Sequence, residues 1–334
     1  MNTNNMLNKD LKLEKKTLAS DVQKIPTRNG FGEGLLEAGK KNSDVVALCA
    51  DLTESTRMHL FAKEFPERFF QIGVAEQNLA TVAAGLAVNG KIPFIASYAT
   101  FSPGRNWEQI RTTISYNNAN VKIAGHHAGI SVGPDGATHQ AIEDIATTRV
   151  MANMTVIVPC DAIQAKKATL AAAAVIGPMY LRFSREKTPL ITTEETPFTI
   201  GKAQVLWEEK KPEVTIFSCG ALTHNALLAA QILKNQGIAV EVVNVHTIKP
   251  LDEKTILAAV KKSGAVVTVE EHQVLAGLGG AIAELLARTT PMPIEFIGMQ
   301  NVFGESGDPE ALLKKYHMDP ESIVRSVQKV LRRK

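Results

Sequence analysis

The chain has 334 residues, enough for two domains that each bury a core of their own. Apolar residues at 45% and charged residues at 21% give the balance of a globular protein and exclude both a disordered chain and a membrane-embedded one. A formal charge of +3, spread along the chain without a basic run, argues against nucleic acid as a partner.

The start, MNTNNMLNKDLKLEKK, has neither periodicity nor the apolar core of a signal peptide. Residues 1–24 therefore read as a flexible lead on which only Leu11 and Leu13 offer anchors. No apolar run approaches the roughly 20 residues that span a bilayer, so no membrane partner and a cytoplasmic location are expected. From residue 28 the runs DVVALCA, KIPFIASYA, VKIAGHH, TVIVP and MYLRFS alternate with helical stretches, the pattern of parallel strands covered by helices. VAEQNLATVAAGLAVNG places Leu79, Val82, Ala83 and Leu86 at i, i+3, i+4 and i+7, with Gly90 as the stop and Glu76 near the start. Trp107, Ile110 and Ile114 have the spacing of the next helix's buried face.

The pattern lapses at EKTPLITTEETPFTI, then resumes with VTIFSCG, AVEVVNVHT, AVVTVEEH and IEFIG, separated by further helical stretches. The expected fold is α/β, with two parallel-sheet three-layer domains at 25–189 and 201–334, joined by a linker at 190–200. Cys49, Cys160 and Cys219 are far apart and form no CxxC pair; Cys49 and Cys219 end apolar runs and read as core residues.

GHHAGISVGPDGATHQ, residues 125–140, holds three of the eight histidines. His126 and His127 are neighbours at a strand end and point to opposite faces, which leaves no converging ligand set, so no metal is expected here. A glycine-rich turn and a ligand-binding loop both remain open, with the position after a parallel strand favouring the second. Glu76 also has two readings: a negative charge at a helix start, worth about 0.3–1 kcal/mol, or a partly buried carboxyl that hydrogen-bonds a ring nitrogen of a ligand. Tyr98 and Phe101 end a strand, where they either close the core or wall a site for a planar ring.

Taken together, IGVAEQNLA, GISVGPDGATHQAIED, YLRFSR and the whole second series resemble the C-terminal half of transketolase, over about residues 25–330. The resemblance implies a pyrimidine-binding domain followed by a transketolase C-terminal domain. The family's GDG…N motif, which holds the metal and the diphosphate of thiamine diphosphate, has no match here. That implies one subunit of a split transketolase, with a separate N-terminal subunit binding the diphosphate and Mg2+ or Ca2+, and a heterotetramer that self-associates across a dimer interface. By resemblance Glu76 bonds the aminopyrimidine N1′ and controls its tautomer, Phe101 or Tyr98 stacks on that ring, and Asp51 lies near the cofactor. SPGRNWEQIR carries one residue more than related chains, which leaves open which ring stacks. His127 and His139 match catalytic histidines that contact sugar phosphate and substrate hydroxyls, and Asp135 matches a hydroxyl-reading aspartate. Arg28, Ser55 and Arg185 match phosphate contacts, and Arg105 is a further residue that could face the site. The implied reaction moves a two-carbon ketol unit from a ketose phosphate of the xylulose 5-phosphate type to an aldose phosphate, in the pentose phosphate pathway. The rival readings are a subunit like 1-deoxyxylulose-5-phosphate synthase, one like the β chain of a 2-oxoacid dehydrogenase E1, and a non-catalytic structural subunit.

Overall fold

The β-branched runs fall on strands, and in the computed structural model, which describes residues 6–334, these strands form two main sheets. The larger has seven strands in the spatial order Thr247–Lys249, Thr155–Ile157, Met179–Arg182, Lys122–His126, Ile92–Tyr98, Val45–Cys49 and Phe69–Gln71. All neighbours in it are parallel except Thr247–Lys249, which runs antiparallel to Thr155–Ile157. Every residue of Val45–Cys49 and Lys122–His126 is buried, as expected of strands covered on both faces. Phe31 and Leu35 of the helix Thr27–Lys41 and Ala165, Ala168 and Ala172 of Ala162–Ala174 pack on one face. These two helices touch closely because Gly30 has no side chain: a Cβ there would lie 1.9 Å from the carbonyl oxygen of Ala162.

The second sheet has the order Ile294–Met299, Val266–Gln273, Val214–Ser218, Val240–Asn244 and Gln204–Trp207, again parallel except at one edge. The α/β class and the two three-layer domains thus hold, but each sheet ends in an antiparallel strand. Thr247–Lys249 belongs to the second half of the chain yet completes the first sheet, so the domains share an edge. Three residues are too few for a periodic signal, and the pairing partner is about ninety positions upstream.

The helix Glu76–Val88 starts where expected, with Leu79 and Ala83 buried. Val82, however, is 36% exposed; Ala80 and Ala84 take the inward places, because the stripe runs through 76, 79, 80, 83 and 84. Trp107–Gln109 is a single helical turn followed by a π-helical stretch, Ile110–Ser115; Ile110 and Ile114 are buried, and the Trp107 indole donates to Thr147 O at 2.9 Å. All three cysteines are buried free thiols. No helix among the described residues is long and apolar enough to cross a membrane.

The expected flexible lead is a correction. From Met6 it is laid across the second domain: Asn8 N donates to Leu206 O at 2.9 Å, Glu208 N to Met6 O at 3.0 Å, and Leu7 pairs with Trp207. Met6, Leu11, Leu13 and Leu18 pack on the same core as buried Leu7. Anchors scattered over a segment of short turns have no period, so the sequence offers Leu11 and Leu13 but hides Met6, Leu7 and Leu18. Residues 1–5 of the lead lie outside the described residues. The crossing at 190–200 is strapped rather than loose. Asp161 accepts from Ile191 N, Thr192 N and the Thr192 hydroxyl at 2.6–2.8 Å, and Lys167 Nζ donates to the carbonyls of Thr193, Glu194 and Thr196. Leu7→Ala should lower stability by about 2 kcal/mol, the lower end for a buried leucine. A shift of the urea midpoint checks this, and an unmoved midpoint would show that the lead contributes nothing to the fold.

Candidate active site

Parallel strands leave their carboxyl ends along one edge, and the residues singled out from sequence converge there. Asp51 and Ser55 follow Val45–Cys49, Glu76 follows Phe69–Gln71, and Tyr98 and Phe101 close Ile92–Tyr98. His127, Asp135 and His139 follow Lys122–His126, and Arg185 follows Met179–Arg182. Arg28 comes from the start of Thr27–Lys41, where Ser184 N donates to the Thr27 hydroxyl at 2.8 Å and ties that helix start to the Arg185 loop.

The two adjacent histidines diverge. His126 is fully buried between Phe31 and Phe183, with ring centroids at 4.8 and 5.1 Å. His127, in a left-handed conformation at φ 54°, stacks on Tyr98 at 4.2 Å. Phe101 lies 6.0 Å from Tyr98 in a stacked arrangement, and His139 stands edge-on to both at 6.1 and 5.4 Å. Tyr98 therefore has a ring against it at contact distance, whereas the rings nearest Phe101 stand further off.

Behind the wall is a cationic group. Arg28 Nη1 lies 3.0 Å from His127 Nε2 and donates to Ser55 O at 3.1 Å. Burial, and then the charges of Arg28 and Arg185, push His127 down to about 3. Its ring is neutral near neutral pH, and since a guanidinium only donates, Nε2 accepts and the proton sits on Nδ1. That Nδ1 is buried with no protein partner. Arg185 donates to Val132 O at 2.8 Å and lies 3.3 Å from Asp135 and 3.9 Å from Glu186. Arg28 is lowered by burial and by the charges of Arg57 and Arg185, and its Nε is buried without a partner. Arg57 was not legible from sequence. It reaches the group from a left-handed turn residue at φ 65° and is held by Asn29 at 2.9 Å. Among the described residues neither Arg28 nor Arg57 forms an ion pair, so three crowded guanidiniums favour a multiply charged anion.

Glu76 opens its helix and is only 3% exposed. Its Oε2 is buried and accepts no hydrogen bond. Leaving a carboxylate oxygen so costs free energy unless another molecule completes it. Asn106, also missed from sequence, is fully buried and donates to Glu76 O at 2.9 Å and to the Ser102 hydroxyl at 3.2 Å, which couples the glutamate to the aromatic segment. A cavity of about 520 Å³ opens beside Glu76, bordered by Asn78, Gln109 and exposed Arg105, which stands here and not in the arginine group. Asp51 stays on the rim: it is exposed, and its N–H donates to Gln71 Oε1 at 2.7 Å. Ser55 engages through its carbonyl, not its hydroxyl.

The family model for the pyrimidine-binding domain of transketolase matches residues 23–190, and that for the transketolase C-terminal domain matches 201–323. A putative transketolase C-terminal section from Methanocaldococcus jannaschii is 46% identical over 309 residues, covering 92% of this chain and 96% of that one. The 6-deoxy-6-sulfo-D-fructose transketolase subunit SqwH of Clostridium sp. strain MSTE9 is 40% identical, covering 92% and 95%. Human transketolase is 34% identical, and there the match spans 91% of this chain but 49% of the other. Among solved structures, one described as a split gene transketolase, inactive beta4 tetramer, superposes with a TM-score of 0.86 at 46% identity, over 92% of this chain and 99% of that chain. The chain therefore belongs to the transketolase family, of which it carries the pyrimidine-binding and C-terminal domains.

Proposed function

We propose that this chain is the C-terminal subunit of a split, thiamine-diphosphate-dependent transketolase. It takes a two-carbon ketol unit from a ketose phosphate of the xylulose 5-phosphate type and passes it to an aldose phosphate, in cytoplasmic pentose phosphate interconversion. The observation that carries the reading is the buried, unpartnered Oε2 of Glu76 at the start of an otherwise apolar helix. A carboxyl in that position fits a ring nitrogen that exchanges a proton, and Oε2 is the unpartnered acceptor at this edge, where His127 Nδ1 and Arg28 Nε are unpartnered donors. Thiamine diphosphate supplies, when bound, a nucleophilic carbon and an electron sink for the migrating fragment.

The chain's own residues bind, orient and hold protons. Glu76 Oε2 holds the proton shared with the pyrimidine N1′. Phe101 offers the stacking face, while Tyr98 is braced by His127. Asp51 borders the cofactor from the rim. Arg28, Arg57 and Arg185 grip the terminal phosphate, with Ser55 at the same turn, and Asp135 keeps Arg185 in line. His127 donates its Nδ1–H to a substrate oxygen, and His139 and Asp135 meet substrate hydroxyls. Mg2+ or Ca2+ belongs with the diphosphate on the partner subunit that bears the GDG…N motif. Partner dependence is supported by the 46% identical structure described as an inactive tetramer of beta chains. Relatives are named for 6-deoxy-6-sulfo-D-fructose and for apulose 4-phosphate; both sugars end in a tetrahedral anion, the chemistry an arginine group recognises. A non-catalytic subunit would have no use for the unpaired Glu76 oxygen, or for Arg28 and Arg57, which form no ion pair among the described residues.

Mixed with its partner subunit, thiamine diphosphate and Mg2+, the chain should transfer a ketol unit from xylulose 5-phosphate to ribose 5-phosphate, and neither subunit should do so alone. Cofactor bound normally with no transfer to any aldose phosphate would sink the proposal. In that assembly Glu76→Gln should keep the fold and lower kcat by about 100-fold or more, the scale of a lost acid–base group; near-full turnover would remove Glu76 from the chemistry. Arg57→Ala should raise the sugar-phosphate KM by about tenfold to a hundredfold, the scale of one charge-assisted hydrogen bond. An unchanged KM would place Arg57 outside the phosphate site.

A further inference from the structure

The loop that bears Asp135 and His139 is held by the second domain. Its apolar anchors, Ile130 and Ile142, are buried in the core cluster built around the second sheet, with Leu222, Ile297 and Met299. Glu271, on the strand Val266–Gln273 of that sheet, is 4% exposed, and its Oε1 accepts from Ser131 N at 2.6 Å. The same carboxyl fills the space beside Gly129, where a Cβ would lie 2.3 Å from Oε1; at φ 89° that position also suits glycine alone. Glu271's backbone carbonyl accepts from Arg182 Nη2 at 2.9 Å, three residues before Arg185. One residue of the second domain thus touches the continuations of both strands that deliver His127 and Arg185. On the loop's other side, Gln140 Nε2 donates to Ile130 O at 3.1 Å and to Glu305 O at 2.9 Å.

We propose that Glu271 is a positioning residue for substrate binding: by accepting from Ser131 N it fixes the loop so that Asp135 and His139 stand at the distance a sugar phosphate requires. The inference rests on the ketol-transfer reading of the site. It gives the C-terminal domain a role in substrate affinity through the loop it holds. Glu271 acts as an acceptor rather than as a charge. Burial raises its carboxyl above the ordinary range while Arg182 and the Ser131 N–H pull the other way, and a neutral amide in its place keeps the same acceptor.

The test uses the assembled two-subunit enzyme with Glu271→Ala and Glu271→Gln. Glu271→Ala should raise the sugar-phosphate KM about tenfold or more, with cofactor affinity and kcat within about twofold, and should speed amide hydrogen exchange across residues 129–139 by about tenfold, as expected when one buried donor loses its acceptor. Glu271→Gln should restore both to within about twofold. If Glu271→Ala does not fold, Ser131→Pro deletes the same hydrogen bond from the donor side and should give the same KM and exchange changes. Unchanged exchange in the deleting variant, or a Gln variant as loose as the Ala one, overturns the proposal. The exchange readout needs no turnover. A wild-type assembly that transfers no ketol unit therefore overturns the ketol-transfer reading, while the exchange result alone decides whether Glu271 holds the loop.

Discussion

The buried ion pair between Arg182 and Asp144 is the contact on which the rest of the molecule turns. Arg182 Nε donates to Asp144 Oδ2 at 2.7 Å, and the guanidinium also donates to Asp144 Oδ1, Ala141 O and Glu271 O, while the Tyr180 hydroxyl donates to Asp144 at 2.7 Å. Burial works against the Asp144 charge, but Arg182 beside it outweighs that and holds the carboxyl below its usual range. The donors, all from the first-sheet strand Met179–Arg182, reach three other pieces of chain: Asp144 at the start of the helix Asp144–Arg149, Ala141 at the end of the histidine loop, and Glu271 on a strand of the second sheet. Removing one member of such a pair costs about 3–5 kcal/mol, because the other is left charged and buried. Here it would also release the junction that lines up the catalytic edge.

Along that edge the structure is complete as a scaffold and incomplete as chemistry. Glu76 Oε2, His127 Nδ1 and Arg28 Nε are all buried without a partner, an acceptor at one end and donors at the other. Other buried polar atoms, both ring nitrogens of His126 among them, also lack a protein partner; what sets these three apart is their place beside the carboxyl ends of neighbouring parallel strands. On the proposed reading, the acceptor end meets the cofactor's pyrimidine and the donor end meets the sugar phosphate. At the same edge Tyr98, Phe101, His127 and His139 pack on one another and brace the wall.

Much of this was legible in the residues because it obeys local rules. The start of the helix at Glu76, the divergence of His126 from His127 and the strand-end position of Tyr98 follow from periods of 3.6 and 2, whereas Arg185 was reached through the family resemblance. What escaped depends on partners far away in the chain. Glu271 sits in VEEH, where two adjacent acids on a strand look like a solvated stretch; in fact Glu270 accepts from Leu278 N and Gly279 N at a helix start, and Glu271 accepts from a loop 140 positions upstream. Arg57 reaches the arginine group through a backbone conformation that no propensity announces, and Leu7 through a single strand-edge pairing. Val82 misled because the small residues Ala80 and Ala84 take the inward places beside Leu79 and Ala83, which leaves Val82 on the outer face.

The central claim is that Glu76 completes a proton-exchanging ring nitrogen of thiamine diphosphate. The rate at which the cofactor's thiazolium C2 proton exchanges for deuterium, followed by quenched proton NMR in the assembled two-subunit protein, tests it most directly. With Glu76→Ala and cofactor still bound, the exchange should slow by about a hundredfold or more, the scale of a lost acid–base contact. Exchange as fast as in the unaltered protein would contradict the account.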